Sequence, residues 1–232
     1  STHFSDAPVP DLRALQNGQP VTLPYTLDDL VADSIGLLDA LGIQQAHVAG
    51  ASMGGAIAQL AAANYPERVL SLTSIMSSSG NPALPAPTPA AATALFAPLP
   101  RQRDQESIVA DSIARHDTRE SPAYPTDRGR LQQLFADEYE RNFDPRGVAR
   151  QLAALIANGD RRSLLQTITA PSVVLHGAAD QLIQVACGED VARNIPNAEF
   201  RIIDGMGHDF PVALSQVIGD AICAAAHRAG QR

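Results

Sequence analysis

Ala46-His47-Val48-Ala49-Gly50-Ala51-Ser52-Met53-Gly54-Gly55 begins as an apolar strand pattern and ends as the start of a helix, with a serine at the corner. Small residues two before and two after Ser52 leave room for the backbone to turn sharply, which lifts the hydroxyl above the strand ends instead of burying it. The helix after the corner, about Met53 to Asn64, aims its N-terminal N–H groups at the same place. The pattern is that of a nucleophile elbow.

A lone G-x-S-x-G recurs by chance, so its weight depends on whether an acid and a histidine stand in order further along the chain. The run Ser172-Val173-Val174-Leu175-His176-Gly177 reads as a second buried strand, with Asp180 just past its end. A third run, Phe200-Arg201-Ile202-Ile203, leads through Asp204-Gly205-Met206-Gly207 to His208. Serine is a weak nucleophile at neutral pH and needs a base beside it; histidine serves, and a carboxylate fixes the imidazole tautomer. Ser52, Asp180 and His208 are therefore the candidate catalytic residues, in the chain order serine, acid, histidine. Asp204 and Asp209 lie closer to His208 in sequence and compete for the acid's place. Asp209, adjacent to the histidine, should point elsewhere, and Asp204 at a strand end should shape the turn.

On these three motifs the chain resembles the α/β-hydrolase superfamily of serine esterases, from about Tyr25 to the C-terminus. The segment Gly205-Met206-Gly207-His208-Asp209-Phe210-Pro211 and the helix before the elbow are most similar to the aclacinomycin methylesterase-like branch. The resemblance implies a mostly parallel sheet flanked by helices, with a helical cap inserted after the second visible strand. It also implies carboxylic-ester hydrolysis through an acyl-enzyme, with no cofactor, on a small hydrophobic ester. Lactone, thioester or peracid chemistry would use the same residues.

The family pattern starts with four strands that have no counterpart in this sequence, and residues 1–24 resemble the loop after the fourth. One oxyanion-hole donor is then the Met53 N–H; the second, which the resemblance puts on the loop after the third strand, has no residue here. Losing one such donor costs roughly 100- to 1,000-fold in rate. Two expectations compete: part of a longer hydrolase, or a chain that functions as it stands, in which the strand at residues 46–50 would be an exposed apolar edge. The alternative to an enzyme is a non-catalytic module or inert fragment of the same fold with an incomplete oxyanion hole.

Organisation follows from composition. Residues 1–79 hold the elbow, residues 80–168 a proline- and alanine-rich linker and the helical cap, and residues 169–232 the acid and the histidine. The stretch from Asn81 to Pro100, with six prolines, should be irregular or polyproline-like. After it, helical patterns run over Glu106 to Arg115, Asp127 to Arg141 and Pro145 to Asn158. Before the elbow, Thr26-Leu27-Asp28-Asp29 opens a helix as a capping box, and Leu27, Leu30, Val31, Ile35, Leu37, Leu38 and Leu41 give it an apolar face.

With 232 residues, 45% of them hydrophobic, the chain has enough apolar material for a sizeable core. A net charge of −8, with no stripe concentrating the 17 Lys and Arg residues, argues against nucleic acid and anionic membrane surfaces. No apolar run approaches a membrane span. Cys187 and Cys223 fall in helix patterns without metal-ligand spacing and read as free buried thiols of a cytoplasmic protein. No metal motif occurs. His47 and His176 lie within strand patterns as core or supporting residues, whereas His3, His116 and His227 read as surface residues. Met53 and Met206, beside the candidate residues, either line a pocket or pack, and Ser77-Ser78-Ser79-Gly80 leaves a strand end near them.

Overall fold

The computed structural model describes residues 7–231, so His3 lies outside the described residues. Its four strands form one parallel sheet in the order β1 (Ala46–Ala51), β2 (Val69–Ile75), β3 (Ser172–Gly177) and β4 (Glu199–Ile203). Gly50 pairs with Ser74, Ser74 with Val174 and Val174 with Phe200, which brings the loops leaving the strands' carboxyl ends to one side of the molecule. β2 and β3 are buried almost throughout. They are central strands covered on both faces, so no polar alternation is needed. β1 is an edge of the described sheet, and its His47 and Ala49 are exposed.

Helices cover both faces. On one, α2 (Leu27–Ala40) and α3 (Met53–Asn64) pack Leu27, Val31, Leu60 and Ala62 against Leu72 and Val174 of the sheet. α2 begins at the capping box: the Thr26 N–H donates to Asp29 Oδ2 at 2.7 Å, and the Asp29 N–H to Thr26 Oγ1 at 3.3 Å, satisfying two donors that the helix start leaves open. Leu37 and Leu41, expected on its apolar face, are 59% and 63% exposed. Leu37 stands at the flank of the stripe and Leu41 is the C-cap, past the last turn. On the other face, α10 (Ser215–Ala229) packs Ala221 and Ala225 against Val173 and Leu175. α9 (Val185–Asn194) joins β3 to β4 and buries Val191. Cys187 is buried on α9 and Cys223 exposed on α10, so the reading as a buried thiol holds for the first alone.

Between β2 and β3 the chain makes a long helical excursion: α4 (Pro89–Phe96), α5 (Gln105–Asp117), α6 (Arg128–Arg141), α7 (Pro145–Asn158) and α8 (Arg162–Leu165). α4 lies inside the stretch expected to be irregular. Thr88 caps it, Pro89 occupies the first turn, where a missing N–H costs nothing, and the alanines after it favour helix. A short helix, α1 (Leu12–Gln16), capped by Asp11, likewise stands where a loop was expected. Among the described residues, no helix is long and apolar enough to cross a membrane.

Candidate active site

Ser52 sits between the last residue of β1 and the first of α3 with φ 53° and ψ −120°, a backbone conformation that is sparsely populated and needs support from its surroundings. Part of that support is room. A Cβ on Gly50 would lie 2.1 Å from the Gly54 carbonyl oxygen, so only glycine lets the strand end pass the first turn of α3. The rest is hydrogen bonding: the Ser52 N–H donates to Ile75 O at 2.9 Å, and the Ser77 hydroxyl donates to Ser52 O at 2.8 Å. As the first residue of α3, Met53 has an N–H without an intrahelical acceptor.

Asp180 lies in the turn after β3. Its Oδ1 accepts the N–H groups of Leu182 at 2.9 Å and Ile183 at 2.8 Å. Oδ2 lies 2.7 Å from His208 Nδ1 and 3.4 Å from His176 Nε2. Burial pushes this carboxyl's pKa up, but the bonds from His176, His208 and the Ile183 N–H outweigh it and hold the group at about 2. An ionised Asp180 accepts from Nδ1–H of His208, which leaves Nε2 as an acceptor. Nε2 lies 3.0 Å from Ser52 Oγ. The structure thus brings together the three residues that the sequence singled out.

The histidine loop is held from the helical excursion. The His208 N–H donates to Arg119 O at 2.8 Å, and the Gly207 N–H to Ser121 Oγ at 2.8 Å. A Cβ on Gly207 would lie 2.4 Å from Arg119 O, so the two segments touch at the backbone. Ser121 Oγ also donates to Asp209 Oδ1, which turns Asp209 away from the imidazole; Asp204 is exposed. His116, expected at the surface, is buried with Nε2 3.4 Å from Asp209 Oδ2. The last turn of α5 packs onto the histidine loop, a contact that no local pattern encodes. His176 is buried and bonds Ile183 O through Nε2 at 2.7 Å, supporting the Asp180 turn. His47 is exposed and bonds Ser71 Oγ, and His227 is exposed.

Ser52 opens into a cavity of about 240 Å³ walled by Ser77, Ser78, Leu155, Ile156, Arg161 and Ile183. Leu155 and Ile156 belong to α7 and close the cavity on the side of the excursion. Arg161 carried no signal in the sequence, as one of two adjacent arginines. It is buried, its guanidinium donates to Asn158 Oδ1 at 3.0 Å and Gly159 O at 3.3 Å, and burial pulls its pKa down to about 10. A larger cavity, about 680 Å³, lies among α4, α5, α6 and α7. Leu182 lines it while the adjacent Ile183 lines the smaller one. Met206 is buried in the core on one face of the sheet and Met53 packs against the core on the other, so both are packing residues.

His116, Asp117 and Glu120 place donor atoms within 4.8 Å of one another. Asp117 already pairs with Arg128, and Glu120 accepts the Thr126 N–H at 3.0 Å, so the two carboxylates serve the excursion itself.

Comparison with known proteins accords with this geometry. Rhodomycin D methylesterase of Streptomyces peucetius is 27% identical over 220 residues, covering 87% of this chain and 73% of that protein. Among solved structures, a meta-cleavage product hydrolase from Pseudomonas fluorescens superposes with a TM-score of 0.70 at 19% identity, covering 90% of this chain and 74% of the other. The enol-lactonase from Burkholderia xenovorans gives 0.65 at 23% identity, covering 92% and 76%. At such identities the two structures speak for the fold alone. The family model described as alpha/beta hydrolase fold matches residues 8–212, a range that includes Ser52, Asp180 and His208: the chain is a hydrolase of the alpha/beta hydrolase fold family.

Proposed function

We propose that the protein cleaves carboxylic esters through an acyl-enzyme. In this reading Ser52 Oγ attacks the ester carbonyl as His208 Nε2 takes its proton, and Asp180 stabilises the imidazolium that forms. The carbonyl oxygen becomes an oxyanion on which the Met53 N–H can donate. His208 then returns the proton to the leaving alcohol, and activates water to release the acid. The observation that supports this most is the unbroken chain Ser52 Oγ, His208 Nε2, His208 Nδ1, Asp180 Oδ2, with links of 3.0 and 2.7 Å.

Residues 80–168 serve as the cap of this site, and the substrate is a hydrophobic ester whose body lies beneath it. The likeness to a rhodomycin D methylesterase makes the methyl ester of a polycyclic acid the leading substrate. A cytoplasmic setting fits two cysteines that remain free thiols.

The experiment is methanol release from a panel of aryl and polycyclic methyl esters, with the acyl-enzyme trapped by acid quench and weighed. Turnover with a Ser52-linked acyl adduct is expected. Turnover that persists unchanged in Ser52→Ala discards the mechanism.

A further inference from the structure

The 680 Å³ cavity is lined largely by apolar side chains, including Leu95, Phe96, Ile108 and Phe135, yet five carboxylate or guanidinium groups also reach it: Asp111, Arg115, Arg119, Glu138 and Asp144. Three of these are engaged. Arg115 bonds Asp111 at 2.6 Å and the carbonyl oxygens of Ala97 and Pro98 at 3.1 and 3.3 Å, and Asp144 pairs with Arg150 at 3.3 Å. Arg119 is different. Among the described residues no hydrogen bond or ion pair reaches its guanidinium, and its Nε is buried without an acceptor. Burial presses on its charge, the carboxylates of Asp209, Glu138 and Asp180 act on it favourably through space, and Arg115 opposes it. Glu138 is solvent-exposed. A guanidinium presents paired N–H donors in a plane that matches the two oxygens of a carboxylate. Arg119 as a whole is half-buried, its Nε–H is buried without an acceptor, and a buried donor left unbonded is unfavourable.

Its position relative to the candidate active site is fixed by backbone. The carbonyl of Arg119 accepts the His208 N–H at 2.8 Å, so the side chain that reaches the larger cavity belongs to the residue that holds the histidine. Leu182 and Ile183, which line the larger and smaller cavities in turn, come directly after the Asp180 turn. A ligand with its reacting carbonyl at Ser52 and its body in the larger cavity would pass this turn close to Arg119.

The geometry points to Arg119 as an anion-binding residue: the substrate carries, besides the ester cleaved at Ser52, a free carboxylate that seats on the Arg119 guanidinium in the 680 Å³ cavity. This rests on the ester-hydrolase reading and narrows it to monoesters of dicarboxylic acids, or hydrophobic esters bearing a separate acid group. Glu138 lines the same cavity and, as a carboxylate with no hydrogen-bond or ion-pair partner among the described residues, competes for the guanidinium.

The test compares the monomethyl and dimethyl esters of adipic, suberic and sebacic acids, which differ in charge and little in shape. For the chain length that spans the two cavities, KM for the monomethyl ester is expected to be about 10- to 100-fold below that of the dimethyl ester, the range of one charge-assisted hydrogen-bond pair. The ratio should fall to about one in Arg119→Gln, persist in part in Arg119→Lys, and rise in Glu138→Gln, a substitution on an exposed side chain. Equal KM values in the wild type at all three lengths, or a ratio that survives Arg119→Gln, would overturn the inference while leaving ester hydrolysis intact. Binding of adipate, suberate and sebacate to Ser52→Ala, followed by calorimetry, needs no turnover. Binding lost on adding Arg119→Gln supports the anion site even if none of the esters is cleaved, in which case the ester reading alone falls; no binding of any diacid removes the anion site.

Discussion

The two loops that meet at the candidate site are built in opposite ways. Ser52 is held by its immediate neighbourhood, because Gly50 clears the Gly54 carbonyl and the Ile75 and Ser77 groups at the end of the adjacent strand pin its backbone. His208 is held by a distant part of the chain: Ser121 and Arg119, some 86 to 89 positions earlier, bond Gly207, His208 and Asp209. The nucleophile's geometry is thus a property of the sheet, and the base's geometry depends on how the helical excursion docks. Substitutions that disturb docking should therefore impair the base while leaving the serine's corner folded.

The strongest way to break the comparison is at the corner itself. Gly50→Ala drives a Cβ into backbone that cannot move without unwinding the first turn of α3, so a loss of about 3 kcal/mol or more in stability is expected, with activity abolished. Denaturant unfolding followed by circular dichroism measures it. Ser121→Ala acts on the other loop. It leaves the Gly207 N–H and Asp209 Oδ1 short of a partner, at about 1–3 kcal/mol, and should lower kcat by about 10- to 100-fold through misplaced His208, with KM little changed. A fall in KM and kcat together, or none in either, would show that the excursion does not position the base.

Acid sharpens the same contrast at Asp180. Its folded pKa of about 2 lies below its ordinary value of 3.8, so its contribution to stability is complete above the ordinary value and is lost as pH falls through the folded one. The denaturation midpoint should therefore drop between those values in the wild type and less steeply in Asp180→Asn. The smallest effect is expected at Asp204→Asn, an exposed residue of the histidine loop, where stability should change by no more than about 0.5 kcal/mol and turnover should hold.

Legibility in the sequence divides along the same line. The elbow, the three strands that carry the candidate residues, the capping box at Thr26 and α7 from Pro145 to Asn158 all rest on spacings of a few residues, and each lies where the pattern put it. The order serine, acid, histidine carried the site across the chain because each motif marks its own strand end. His116 reads as a surface residue in the sequence, and its burial depends on Asp209, far along the chain. Arg119, Arg161 and Ser121 carry no sequence signal for the same reason: an arginine or serine outside any motif gains its role from a partner that local periodicity does not name. α4 was hidden differently, because a proline-rich composition outweighed the favourable first-turn placement of Pro89.

The central claim is that Ser52 is an activated nucleophile, and the most direct measurement is the intact mass of the protein before and after treatment with a fluorophosphonate. A single phosphonyl adduct is expected, one that maps to Ser52, is absent from Ser52→Ala and forms much more slowly in His208→Gln. A folded protein that takes up no adduct, or one labelled equally with and without Ser52, would contradict it.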